Sequence, residues 1–298
     1  MGQDGKQGYK QVSEERGRGR DKPFAKPHAK PFWQADRPYL HQCHISDVRF
    51  RMLGYVMAFL AGAINAGGFF AVSRYTSHVS GELSHAADMA YVGDWQVAAT
   101  AMVGVLCFIL GAAHSSWTIL WAKRHRFRSA YGLSMWLEAG YLLLFGLMGV
   151  GLENFRPILA PLTVLLLCFI MGMHNTVLTV LSGGSIRSTH MTGTATDLGI
   201  ELSKVLYYSR VSNPRLPDVK VNKPKMKLFI GLITAFVFGG FIGAAGYHAI
   251  GHRFTLPVAM LLFWFGFGSI GYDIKARLKI ILKRRKRQKS AAMRASKM

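Results

Sequence analysis

Acidic residues are scarce in this chain of 298. Asp and Glu number 15 against 37 Lys and Arg, which leaves a formal net charge of +22. Such an excess raises nucleic acid as a partner, but the distribution of the basic residues argues against it and for anionic lipid headgroups. Cysteine is rarer still: Cys43, Cys107 and Cys168 have no paired spacing, two of them sit inside apolar runs, and no disulfide framework is expected. No phosphate-cradling Gly-Lys-Ser/Thr loop occurs, which excludes ATP-driven transport by this chain alone. No Gly-x-Ser-x-Gly nucleophile motif occurs and no soluble stretch is large enough for a separate active site. The chain is therefore expected to be no enzyme and to carry no cofactor and no metal.

Apolar sequence is what the chain has in quantity. Its mean hydropathy of +0.19 averages polar, basic ends with a strongly apolar middle. Six runs approach the roughly 20 residues needed to cross a bilayer core. They lie near 52–72, 97–121, 131–150, 157–181, 227–250 and 256–274. No cleavable signal peptide is expected, and 52–72 reads as an uncleaved first span. Lys and Arg gather in the N-terminal tail, in Lys123 to Arg128, between Arg187 and Lys227, and around Lys283 to Arg287. The remaining connections carry only Arg74, Arg156 and Arg253. With both termini cytoplasmic and all six runs spanning, every basic block lies inside, as the positive-inside rule requires.

The chain also repeats itself. Ser77-His78-Val79-Ser80-Gly81 in the first half returns as Thr189-His190-Met191-Thr192-Gly193 in the second. Each follows a Gly-x-x-Asn box, Gly62 to Asn65 and Gly172 to Asn175, and Gly111-Ala112-Ala113 recurs as Gly243-Ala244-Ala245. A duplicated unit of three spans enters the membrane from opposite sides, so the expected fold is all-α and integral to the membrane: six transmembrane helices as two inverted three-helix repeats, about 50–151 and 157–274. Residues 1–48 and 275–298 are expected as basic cytoplasmic tails, the first of them disordered, flanking a membrane domain over 49–274. Asn213 to Pro224 reads as a loop because of its prolines. His41-Gln42-Cys43-His44 looks like a scrap of metal site and carries little weight.

Glycines stand before both pentapeptides, Gly67-Gly68 and Gly183-Gly184, where a helix can break. Two arrangements fit: a broken, re-entrant segment folding toward the bilayer centre, or a plain turn followed by an interfacial helix. Downstream of each motif runs a polar stripe at helical spacing, His78, Glu82 and His85 in one half and His190, Thr194, Asp197 and Glu201 in the other. Such a stripe suits an aqueous or proton path better than a zinc site, because the two halves supply different donors. A solvated helix face at the membrane surface has the same pattern.

Glu138 lies inside the third run, where a carboxylate costs about 2.5–3.5 kcal/mol on insertion scales. It reads either as a proton or cation site or as a side chain snorkelling toward the Arg126 to Arg128 block. Its repeat counterpart falls near Val258. Asn65, His174 and Asn175 near the ends of their spans suit interhelical bonding or substrate coordination; His114 and His248 need no special role. Candidates for a substrate or ion pathway are thus Asn65, His78, Ser80, Gly81, Glu82, His85, Glu138, Asn175, His190, Thr192, Gly193, Asp197 and Glu201.

At Gly62-Ala63-Ile64-Asn65-Ala66-Gly67-Gly68-Phe69, Tyr75 to Gly81, Gly172-Met173-His174-Asn175, and Ile186 to Gly193 with Asp197-Leu198-Gly199-Ile200-Glu201-Leu202, the chain resembles the YoaK family of bacterial membrane proteins. The resemblance runs from about residue 52 to 272. Many members carry Thr-Gly-Asn where this chain has Ser80-Gly81-Glu82, so no role of that amide is carried over. The resemblance implies a multi-span inner-membrane protein built around a domain of unknown function, and names no substrate. The leading expectation is a secondary transporter or permease for a small solute in the cell inner membrane. The alternative is a non-transporting membrane scaffold whose basic tails bind lipid or a soluble partner, and a membrane-embedded hydrolase ranks third.

Overall fold

The computed structural model describes residues 48–72, 75–125, 127, 130–208 and 221–267. The expected tails, Cys43 with its histidine neighbours, most of the loop from Asn213 and the end of the sixth run lie outside these residues. Every regular element among the described residues is helical. In chain order they are α1 (Val48–Val72), α2 (Val79–Val92), α3 (Trp95–Arg124), α4 (Ala130–Leu181), α5 (Met191–Tyr208) and α6 (Lys223–Ile250). A 3₁₀ turn, Gly251–Phe254, leads into α7, residues 255–267.

Local chemistry explains several boundaries. α2 ends at Gly93, whose φ of 92° lets its N–H and that of Asp94 close the helix on Ala90 and Met89. Asp94 then caps α3 by accepting from the Val97 N–H at 3.1 Å, and Asn222 caps α6 in the same way through Lys225. α4 stops where Gly183 and Gly184 take φ of 64° and 87°.

Five stretches are long and apolar enough to cross a bilayer: Phe50–Ala71, Trp95–Arg124, Ala130–Gly149, Leu159–Leu181 and Lys223–Phe267. Their outer faces stay apolar, with Leu110, Trp117, Leu120, Val237, Phe238, Phe241, Met260 and Trp264 all exposed. No water-soluble surface tolerates a patch of that extent. This is a membrane-embedded protein.

The expected third and fourth spans belong to one helix, α4, which folds back on itself. A straight helix would part Glu138 from His174 by about 54 Å, yet the two side chains touch at 2.5 Å. Tyr141 and Phe169 likewise meet edge to face with centroids 5.3 Å apart. α4 is therefore two antiparallel arms, 130–149 and 159–181. The fifth and sixth expected spans form a single run that bends at the 3₁₀ turn, where the Tyr247 hydroxyl meets Thr255 at 3.2 Å. α7 then lies against the first arm of α4, with Trp136 stacked on Phe263 at 4.5 Å and Thr255 beside Gly146.

Two glycine seams hold the long helices together. α1 and α6 run side by side: a β-carbon at Gly62 would strike the Phe236 carbonyl, and one at Gly239 the Phe59 carbonyl. α3 and the second arm of α4 repeat the arrangement, with Gly172 against the Phe108 carbonyl and Gly111 against that of Phe169. Both seams are parallel, because contacts advance along both partners together. The Gly62 box and the Gly172 box thus play the same part in each half. The sequence pairs Gly111 with Gly243; the packing pairs it with Gly239, one helical turn earlier, since backbone approach rather than residue identity sets the register. The structure also corrects the reading of Gly67 and Gly68 as a helix break. α1 continues to Val72, and Gly67 makes room for the Tyr247 ring.

Candidate functional site

Both pentapeptides turn back along the helix that precedes them. The Oδ1 of Asn65, two turns before the end of α1, accepts from the Ser77 N–H at 3.4 Å and the Ser77 hydroxyl at 3.1 Å. The Oδ1 of Asn175 accepts from the Thr189 N–H at 3.4 Å and the Ser188 hydroxyl at 3.5 Å. Each Gly-x-x-Asn box therefore has two uses, glycine for helix packing and asparagine for holding the returning chain. The histidines of the motifs sit just before α2 and α5, each with its ring over the glycine three residues on. A β-carbon at Gly81 would collide with the His78 ring and one at Gly193 with the His190 ring. That clash explains the glycine of each motif.

The two motifs meet. Ser77, His78 and Ser80 from the first and Thr189, His190 and Thr192 from the second line one cavity of about 420 Å³, with Phe108, Asn175 and Arg187. A second cavity, about 440 Å³, lies on the other side of the second motif and is lined by Gly193, Thr196, Asp197 and Phe229. Arg187, His190 and Thr192 front both.

The remaining candidates lie elsewhere. Asn65 and Gly81 shape the first motif without lining either cavity, and Glu82 and His85 follow on α2 outside both linings. Glu201 is buried but structural: it takes the Lys204 ammonium at 2.8 Å and the Asn222 N–H at 3.0 Å, tying α5 to the start of α6. Those two bonds, the lysine first, hold its carboxyl below the usual carboxylate range. Thr194 turns inward and bonds back to the His190 carbonyl. Among the described residues no group of three or more His, Cys, Asp or Glu is arranged as a metal site.

Glu138 does not snorkel. Its side chain is fully buried on the first arm of α4 and touches His174 Nδ1, which is fully buried on the second arm. His174 Nε2 stands 2.8 Å from the Met57 carbonyl of α1. A carbonyl only accepts, so Nε2 carries a proton and donates. The pair thus joins three membrane segments, and Glu138 Oε2 is left buried without a partner. His174 was within reach of the sequence: its position in the Gly172 box corresponds to Ile64 in the Gly62 box, an apolar-to-polar change between otherwise matched motifs.

The paired boxes and motifs lie within the stretch that a family model described as "Protein of unknown function (DUF1275)" matches, residues 53–267. The chain belongs to that family. The match bears out the resemblance carried by the motifs and, like it, supplies no activity. No curated protein and no solved structure matches the chain.

Proposed function

We propose that the protein is a secondary transporter or permease for a small solute, and that the cavity between the two pentapeptides is its solute site. The meeting of both motifs around one cavity carries this reading. Six crossings fit the geometry, counting the two arms of α4 and the bent run 223–267 as two each. They form two inverted three-span repeats, which accounts for the matched parallel seams, since first and fifth spans, and second and fourth, then run in the same sense. Under that topology the motifs approach from opposite faces and meet beside Phe108, midway along α3, which favours re-entrant segments over surface turns. Irregular backbone at such depth is tolerated where it lines a cavity.

Both termini are assigned to the cytoplasmic side of the cell inner membrane, with the basic tails on anionic headgroups and no nucleic-acid partner. Arg187 is the one formally charged side chain in the lining of the shared cavity, which disfavours cationic solutes. The protein acts without a covalent step and is no enzyme.

Reconstitution in liposomes with a panel of labelled neutral and anionic solutes tests the reading. Wild-type flux should be blocked when Ser80→Trp and Thr192→Trp fill the cavity from both motifs. Flux unchanged by both substitutions would remove the cavity from the mechanism. Single cysteines at positions 85 and 125 test the topology, which requires them to label from opposite sides. Deleting residues 1–45 separates the scaffold alternative, because a transporter keeps its flux and a scaffold loses its partner.

A further inference from the structure

We infer that Glu138 and His174 form a proton-binding pair whose loading and unloading couples proton movement to the solute cavity. The inference rests on the transport reading and names its coupling ion. It starts from atoms. His174 Nε2 is committed to the Met57 carbonyl, so only Nδ1 faces Glu138 Oε1, at 2.5 Å. One proton must lie between them. Whether it is written on the carboxyl oxygen or on the imidazole, the pair is then neutral overall, the form a low-dielectric interior favours.

Removing that proton leaves two lone pairs facing each other at hydrogen-bonding distance, with a net negative charge and no buried cation to offset it. No lysine or arginine whose side chain the structure describes is buried. The contact cannot persist in that form. Proton release therefore breaks this contact between the two arms of α4, and proton binding restores it.

Glu138 Oε2 supplies a second, independent sign of a ligand. It is a fully buried acceptor with no bond, a costly state for a group with only a structural task. Once the contact with His174 is broken, it leaves the carboxylate an open oxygen on which an incoming proton can land before the pair re-forms. The other titratable groups on the packed helices are engaged elsewhere or unconnected to the pair. Tyr55 of α1 lies over Gly231, His114 of α3 stands against Tyr141 and Phe169, and Tyr247 of α6 meets Thr255. Arg51 and Cys107 make no bond to either residue. No third His, Cys, Asp or Glu among the described residues joins the pair to make a metal site.

The link to the solute site is short. Asn175, the next residue after His174, both lines the shared cavity and holds the Thr189 N–H. The Ser188 hydroxyl reaches the His174 carbonyl at 3.5 Å and the Asn175 side chain at the same distance. A shift of His174 thus moves the anchor of the second pentapeptide. The counterpart positions hold no such device, since Ile64 and Val258 occupy them and both are buried and apolar.

The experiment is pH-difference infrared spectroscopy of the purified full-length protein, which needs no knowledge of the solute. Wild type should show a carboxyl and an imidazole component that titrate together. Glu138→Gln should lose the carboxyl component and move the imidazole one, whereas His174→Gln should do the reverse. Glu138→Asp, which keeps the acid on a shorter arm, should shift both without abolishing either, and it serves if the amide variant fails to fold. Spectra of wild type and Glu138→Gln that coincide would overturn the proposal. In proteoliposomes, proton-driven solute accumulation should fall at least roughly tenfold in Glu138→Gln, while solute exchange without a gradient survives. Absence of any solute flux, with the coupled titration intact, would count against the transporter and leave the proton site standing. Flux in wild type with no Glu138-dependent titration would sink the proton site alone.

Discussion

Where α1 meets α6, Gly62 and Gly239 face backbone carbonyls of the opposite helix, and where α3 meets the second arm of α4, Gly172 and Gly111 do the same. The asparagines that follow, Asn65 and Asn175, each hold a returning pentapeptide. At the residue next to each asparagine the halves diverge. Beside Asn65 stands Ile64, packed in the apolar core; beside Asn175 stands His174, bonded to Glu138 and Met57. The backbone geometry recurs in both halves because two helices in van der Waals contact leave no space for a side chain at the crossing. The side-chain chemistry in the core is free to differ, and at Glu138 and His174 it does.

The comparison can be broken most severely at the polar core. Glu138→Ala strands a buried imidazole and should lower stability by about 3–5 kcal/mol, read as thermal unfolding in detergent. Glu138→Val with His174→Ile gives each of the two positions the residue of its counterpart in the other half. That double variant should recover most or all of the stability while the titration described above disappears. Stability that failed to recover would mean that the core needs the pair for packing.

The seams come next. Gly62→Val and Gly172→Val should each cost about 1–3 kcal/mol or more, and by similar amounts, since each β-branched side chain meets a backbone carbonyl. Gly140→Ala, with open space where its β-carbon would go, serves as the unperturbed control in the same assay. Markedly unequal losses at Gly62 and Gly172 would show that the two seams are alike in shape but not in weight.

Smaller effects are expected at the motif anchors. Asn65→Ala and Asn175→Ala each remove long hydrogen bonds worth about 1 kcal/mol or less. Hydrogen exchange should quicken at Ser77 in the first variant and at Thr189 in the second, each without change at the other.

The smallest effect tests a contact that only the second half has. Glu201 on α5 corresponds to Met89 on α2, which needs no anchor because Gly93 and Asp94 turn the chain directly into α3. Lys204 and the Asn222 N–H depress the Glu201 carboxyl, so its folded value lies below its unfolded one. Its contribution is then complete above the unfolded carboxylate value and lost as pH falls through the folded one. Glu201→Gln should lower the unfolding temperature slightly near neutrality and not at all in acid. A deficit that persisted in acid would assign the effect to packing.

Much of this was legible beforehand. Apolar run length located the membrane segments, and the repeated pentapeptides located residues that now line one cavity, because both signals are local in sequence. The Glu138–His174 contact was not, since it joins positions 36 residues apart through a reversal that run length and periodicity do not encode. The role of Gly67 was misread for a related reason. A glycine that breaks a helix and one that admits a tyrosine ring look identical until the partner helix is known. Glu201 shared the helical spacing of the stripe but serves a loop, Asn222, that periodicity on α5 cannot sense.

Arg187, His190 and Thr192 stand in a wall thin enough for the same three side chains to front a chamber on each side. A reagent tethered at His190 is therefore within reach of two compartments, and no substitution there can be charged to one alone. Residues confined to a single face, Ser80 for one chamber and Asp197 for the other, are the places from which each can be probed separately.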